Sequence, residues 1–277
     1  MIRNRSLLDT IFFNIHLDGS ILCLHSSFSK VKHVFINPDN LIDYFLGKGC
    51  TLVTPAHHYQ RRVRYKPSMN ILQNGIDSDN ESHQSMDRIY TPENTEISSE
   101  MGIVAKHILL RKESFIGYHP ENAFASLGPE AEAIIQSQSP WNVYAPYDRI
   151  MTYDKAFILL LGVDLCKATP IHYAEYVSGR IPFIRWYCDE NHVIRPMRVG
   201  GCSDGFDSCS SVVSHLNQCK PGNSGWINIY PFKDFIHELV QIFRQNHEIT
   251  RCSDPECPRC RDILKGGPFY SFKRYGE

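Results

Sequence analysis

Two residues in the middle of the chain carry its clearest chemistry. His172 and Glu175 stand three positions apart in TPIHYAEY, a spacing that sets both on one face of a helix. Thr169 and Pro170 are the residues such a helix favours at its N-cap and first position, which places His172 in the first turn. An imidazole held by a carboxylate through one ring nitrogen has a fixed tautomer and can take a proton at the other. A histidine satisfied inside a loop-to-helix corner gives the same pattern. A second stretch, His25-Ser26-Ser27-Phe28-Ser29, collects hydroxyls and turn N–H groups suited to an anionic ligand, although most Ser-rich turns are loop chemistry alone. The third is RCSDPECPRCRD, with Cys252, Cys257 and Cys260 at C-x4-C-x2-C spacing and Pro255 and Pro258 shaping the turns. Three such thiols suit a tetrahedral zinc whose fourth ligand is His247, or a thiol of Cys202, Cys209 or Cys219. A plain cysteine-bearing loop is the alternative. An iron–sulfur cluster shares the spacing, but nothing else in the chain supports electron transfer.

These residues need elements to hold them. Phe157 to Leu161 is an unbroken apolar run ending at Gly162, as expected of a strand covered on both faces. Ile21 to Leu24 is a shorter strand that delivers the His25–Ser29 turn, and Cys50 to Thr54 is another, stopped by Pro55. Helices are expected over the N-terminal segment bearing Leu7, Leu8, Ile11, Phe12 and Ile15, and over 38–46, 101–110, 129–136 and 231–244. The last has Phe232, Phe235, Ile236, Leu239, Val240 and Phe243 on one face, and that stripe is core. Residues 181–188 and 192–199 flank Asp189-Glu190-Asn191 as a hairpin. Helices alternating with strands predict an α/β fold, a mixed sheet layered with helices. The chain reads as a single domain over 1–277, with a mobile polar insert near 75–95 and a Cys-rich tail over 247–265. The cluster Arg61, Arg62, Arg64 and Lys66 is a solvated face or, beside a pocket, a receiver of cofactor phosphates.

Bulk properties narrow the classes. A net charge of −1 provides no basic field for nucleic acid or an anionic membrane. No apolar run approaches the ~20 residues of a membrane span. Asp9 and Asn14 interrupt the N-terminal apolar segment, which reads as an amphipathic helix and not a signal peptide. Ten cysteines without a secretion signal predict reduced thiols or metal ligands in the cytoplasm.

Four segments in order resemble the aminoglycoside 3-N-acetyltransferase family: LHSSFSKV, SSEMGIVAKHILLR, YHPENAFASLG and LLLGVDLCKATPIHYAE, together spanning residues 22–176. The resemblance implies an α/β enzyme that moves an acetyl group from acetyl-coenzyme A to an amine of an aminoglycoside or related amino sugar. It implies that Ser26, Ser27, Phe28 and Ser29 lie along the coenzyme, beside His25, with Ser99 and Met101 nearby. His172 is then the general base and Glu175 its partner or a substrate contact. The thioester oxyanion would meet N–H donors of the His25–Ser29 turn or of the Thr169 helix start. Cys166, a few residues from the histidine, is a spectator or, alternatively, an acyl-accepting nucleophile. Ala123 stands where the family commonly has a serine, and Cys166 and Ala168 stand where it usually has an acid and an amide; loss of those last two predicts weak or absent activity on heavily charged aminoglycosides. An acceptor from polysaccharide or secondary-metabolite synthesis is the enzymatic alternative, and a non-catalytic, zinc-clipped binding protein the other. The cysteine tail is expected to sit apart from the acyl-transfer site.

Overall fold

Ala156–Leu161 is apolar at all six positions, and both of its faces are covered in the computed structural model, which describes residues 5–12, 14–63, 70–76, 89–91, 93, 96–219 and 226–271. It lies within a six-stranded sheet. The order across that sheet is Ile227–Pro231, Ala156–Leu161, Ile21–Ser26, Thr51–Pro55, Phe124–Leu127 and Phe115–Ile116. The three strands Ala156–Leu161, Ile21–Ser26 and Thr51–Pro55 are parallel, and the flanking pairs are antiparallel. The expected mixed sheet layered with helices is therefore present.

The period of two along each strand divides side chains between two cores. Ile21, Cys23, Val53, Ile158 and Leu160 join one core with Ile171 and Ala174 of the helix Pro170–Val177 and with the stripe Phe232, Phe235, Ile236, Leu239, Val240 and Phe243. That stripe belongs to the helix Phe232–Gln245, as the sequence predicts. Leu22, Leu24, Leu52, Leu159 and Leu161 join the opposite core with the helices Arg5–Phe12, Pro38–Leu46 and Gly102–Leu109. Each of these leucines is worth about 2 kcal/mol when buried, so a one-residue slip that moved a strand's set to the wrong side is strongly disfavoured.

Parallel strands carry their connections away from the same end, and that end gathers Ser26–Ser29, Pro55–Tyr59 and Gly162–Thr169 into one crevice. Gly162 permits the close approach there. Its φ is +69°, and a Cβ would lie 2.6 Å from Cβ of Lys30.

A second sheet pairs Phe183–Asp189 with Ile194–Val199 as an antiparallel hairpin, with Ile89–Tyr90 on the other side of Phe183–Asp189. His192 takes φ +58° in the hairpin loop. Asn70–Leu72 and Phe269–Ser271 form a separate antiparallel pair. The tail is built into this region: Ile263, on the helix Pro258–Leu264, packs with Tyr90, Phe183, Tyr187, Met197 and Val199. The expected mobile insert near 75–95 falls largely outside the described residues, as do Arg64 and Lys66. No described helix is long and apolar enough to cross a membrane.

Candidate active site

Pro170–Val177 forms the expected helix, but Thr169 is not a true cap. It has helical backbone angles and makes no side-chain capping bond. A 3-10 turn at Leu165–Lys167 leads in, and the Ile171 and His172 N–H groups donate to the Ala168 and Thr169 carbonyls at 3.0 Å each. The helix start therefore has no free N–H at these two positions for an oxyanion.

His172 is poised between two cavities. The larger, of about 860 Å³, is lined by His25, Ser26, Ser27, Phe28, Ser29, Met101, Lys30, Lys167 and Thr169 among others. The smaller, of about 190 Å³, is lined by Arg62, Glu121, Asn122, Tyr144, Arg185, Gly200, Gly201 and Arg259 among others. His57, Tyr59, Thr169, His172 and Ser203 line both. All the residues expected beside a coenzyme thus face one cavity with His172, except Ser99, which does not line it.

Nδ1 of His172 lies 3.0 Å from Oε2 of Glu175, and both side chains are largely buried. A carboxylate only accepts, so Nδ1 carries a proton, and in the neutral ring Nε2 is then the nitrogen with the lone pair. Glu175 is held in turn by Arg180, whose Nη1 donates to Oε1 of Glu175 and, at 2.7 Å, to the Thr250 hydroxyl. Phe206 meets the imidazole edge to face, with ring centroids 4.6 Å apart. Gly200 leaves room on the other edge, since a Cβ there would stand 3.5 Å from Nε2.

The Ser turn differs in one respect from a simple N–H cradle. The Ser27 N–H donates to the Leu161 carbonyl at 2.8 Å, while its hydroxyl meets that of Ser29 at 3.1 Å. Hydroxyls, more than N–H groups, are what Ser27 presents. Cys166 lines the cavity, and burial, with Asp207 and Asp164 adding, pushes its thiol up, so it is a poor nucleophile.

The smaller cavity holds residues that sequence reasoning missed. His119 accepts the Asn122 N–H at Nδ1, 2.8 Å, and donates from Nε2 to the Arg198 carbonyl, 2.8 Å. Burial pushes it down to about 4, so it remains a neutral brace that shapes the loop. That loop presents Glu121, which accepts from Nε of Arg62 at 3.0 Å and from a second Arg62 nitrogen. Arg61 is buried, donating to the Glu96 carbonyl at 3.1 Å. Of the expected basic cluster, then, Arg61 is structural and Arg62 lines the smaller cavity. His57, pushed down to about 3 chiefly by burial and then by neighbouring histidines, approaches the Tyr59 hydroxyl at 3.2 Å. The signal for Glu121 and Asn122 was their place beside His119-Pro120, in a loop too specific in composition to be a bland connector.

Among the tail cysteines, Cys252, Cys257 and Cys260 converge with Cys202, all four sulfurs lying within 4.8 Å of one another. His247 is outside the group; its carbonyl accepts from Arg180 instead. Cys209 and Cys219 are outside it as well. Four thiolates about 2.3 Å from a tetrahedral ion stand about 3.8 Å apart. The Cys252 and Cys260 sulfurs are 3.5 Å apart, and all ten cysteines are free thiols. The donor set and its spacing fit zinc.

The family model for aminoglycoside 3-N-acetyltransferases matches residues 23–219. The chain belongs to that family. A curated relative, aminoglycoside N(3)-acetyltransferase IV from Salmonella sp., is 27% identical over 170 residues, which are 60% of this chain and 55% of the relative. The fold matches a mutant of AAC(3)-IVa in complex with a gentamicin, with TM-score 0.71, 21% identity, and 95% and 97% of the two chains covered. It also matches AAC-IIIb in binary complex with CoASH, with TM-score 0.66, 15% identity, and 87% and 96% covered.

Proposed function

We propose that this family member transfers an acetyl group from acetyl-coenzyme A to an amine of an aminoglycoside or related amino sugar, with His172 as general base. The observation that carries this reading is the position of His172, whose ring lines both cavities while Glu175 fixes its tautomer. The coenzyme occupies the larger cavity, where Lys30 and Lys167 complement its phosphates and the Ser26–Ser29 hydroxyls lie along it. The acceptor amine enters from the smaller one. Nε2 takes the amine proton as nitrogen attacks the thioester carbonyl. Glu175 stabilises the imidazolium that forms, and the proton then passes to the departing coenzyme sulfur. With the Ile171 and His172 N–H groups committed, the hydroxyls of the serine turn, which line the same cavity as His172, serve as the oxyanion donors.

The described lining of the smaller cavity carries three arginines, Arg62, Arg185 and Arg259, against one carboxylate, Glu121, which Arg62 already engages. Like charge disfavours a polycation there, so an amino sugar with one amine, neutral or bearing a phosphate or carboxylate, is the better acceptor. Thiol release from acetyl-coenzyme A in the presence of glucosamine, glucosamine 6-phosphate, gentamicin or apramycin tests both points. Release with any of them supports acetyl transfer. A kcat/KM at or above about 10⁴ M⁻¹s⁻¹ for gentamicin and far below it for the other sugars contradicts the acceptor preference, and points instead to a role in antibiotic resistance. No release with a wide amine panel favours a binding protein.

The same reading places a structural zinc on Cys202, Cys252, Cys257 and Cys260. Soft thiolates select zinc over magnesium or calcium. Ten free thiols are consistent with work in a reducing compartment such as the cytoplasm.

A further inference from the structure

The cysteine cluster is tied to the catalytic pair by two separate strings of contacts. The first runs through Arg180. This buried guanidinium grips Glu175 on one side, and on the other it donates to the Thr250 hydroxyl and the His247 carbonyl. Thr250 lies two residues before Cys252. The second runs through the loop that follows the hairpin strand Ile194–Val199. Cys202 sits between Gly201 and Ser203, which line the cavities around His172. Four residues on, Phe206 packs against the His172 ring. The two strings touch at Gly205, where a Cβ would stand 2.4 Å from the Arg251 carbonyl oxygen.

One thiol of the cluster therefore comes from the loop that walls the site, and three come from the segment that anchors Arg180. Thiols are weak donors and weak acceptors, and hold such segments weakly: Cys202 meets an Asp204 carboxylate oxygen at 3.5 Å, and Cys252 and Cys260 share a sulfur–sulfur contact at 3.5 Å. An ion bonded to all four sulfurs fixes the separation of the two segments.

We propose that zinc on these four cysteines is a positioning device for acyl transfer, which holds the His172–Glu175 pair in register with the wall formed by residues 200–206. The proposal rests on the acetyl-transfer reading and on the zinc assignment above, and it replaces the expectation that the tail sits apart from the site. Arg180 and Thr250 line neither cavity; with the metal, they would act through Glu175 and the loop. Misplacing a catalytic group by about 1 Å costs up to about 100-fold in rate, so loosening this clamp should lower kcat by about 10- to 100-fold.

The test uses the full chain purified without added metal. Elemental analysis should find one zinc per chain, and cobalt substitution should give the thiolate-to-cobalt charge-transfer absorption of a tetrahedral sulfur site. Zinc is then removed with a chelator, and kcat and KM with glucosamine, coenzyme A affinity by calorimetry, and amide exchange over 170–180 and 200–206 are compared. Lower kcat, coenzyme A affinity within about twofold, and faster exchange in both segments are expected. Thr250→Val removes one of the two bonds that tie Arg180 to the tail, leaving the one to the His247 carbonyl and all four thiols, so it should keep zinc and the cobalt spectrum yet lower kcat, and it decides the matter if the metal-free chain unfolds. A metal-free chain with four freely titratable thiols overturns the zinc assignment. A zinc-bearing chain whose depleted and Thr250→Val forms keep both kcat and the exchange pattern overturns the positioning role. If the wild-type chain acetylates nothing, the transfer reading fails, and unchanged exchange in the depleted and variant forms then overturns the positioning role on its own.

Discussion

Replacing Glu175 with glutamine isolates the tautomer control that the site depends on. In the native chain the carboxylate accepts from two donors, Nδ1 of His172 at 3.0 Å and Nη1 of Arg180. An amide has one oxygen and one NH₂ group, and cannot accept in the same way on both sides. Arg180 only donates, so the amide oxygen turns to it and the NH₂ faces Nδ1 of His172. Nδ1 must then accept, the ring proton moves to Nε2, and the nitrogen that faces the cavities is no longer a base. Loss of the correct tautomer in a catalytic triad costs about 10⁴ in kcat, and proton transfer by a positioned group is worth about 10²–10⁴-fold. We therefore expect Glu175→Gln to lower kcat by about 10²–10⁴-fold at neutral pH. The change also leaves a buried guanidinium without its carboxylate, which costs at most the ~3–5 kcal/mol of a broken buried pair. Rates must accordingly be normalised to the folded fraction. Thiol release from acetyl-coenzyme A reports kcat, and calorimetric titration with coenzyme A reports the folded, binding-competent fraction. A Glu175→Gln chain within about threefold of wild type in kcat would falsify the pairing as the source of the base.

Two further outcomes follow from the same geometry. Ser27→Leu puts an apolar branched side chain into the larger cavity, where Ser27 is half-buried beside Ser29, and should raise the KM for acetyl-coenzyme A without unfolding the chain; unchanged coenzyme A affinity by calorimetry would give the turn another role. Acid should destabilise the fold, because burial pushes His25 and His57 down to about 3 and His119 down to about 4. An unfolded histidine titrates near about 6.5, so between these limits the unfolded chain holds more protons and stability falls as pH drops. The loss is up to about 1.4 kcal/mol per histidine per pH unit, starting just below pH ~6.5, and a Tm flat from pH 7 to 4.5 would contradict the burial of these rings.

The parts of this molecule that were legible in its sequence are those set by local patterning. The unbroken apolar run at 157–161 meant a strand with two covered faces, and the 3.6-residue stripe from Phe232 to Phe243 meant a core helix; both have the burial their patterns require. The spacing of His172 and Glu175 was enough to bring their side chains together. Thr169 misled because the Ala168 and Thr169 carbonyls accept the Ile171 and His172 N–H groups that a capped start would leave to the threonine side chain. What stayed hidden depends on contacts between distant segments. Arg62 meets Glu121 across 59 positions and Arg180 meets Thr250 across 70, and neither pair has a periodicity to betray it. The fourth sulfur was one of several candidates in sequence; the hairpin and the helix Pro258–Leu264 bring Cys202, and not His247, to the other three.

The most direct measurement compares His172→Ala with the wild-type chain in thiol release from acetyl-coenzyme A, alongside calorimetric binding of coenzyme A to both. With the base removed and the larger cavity otherwise intact, kcat should fall by about 10²–10⁴-fold while coenzyme A still binds. A His172→Ala chain that turns over at the wild-type rate at neutral pH would contradict the central claim that this ring, between the two cavities, takes the proton from the acceptor amine.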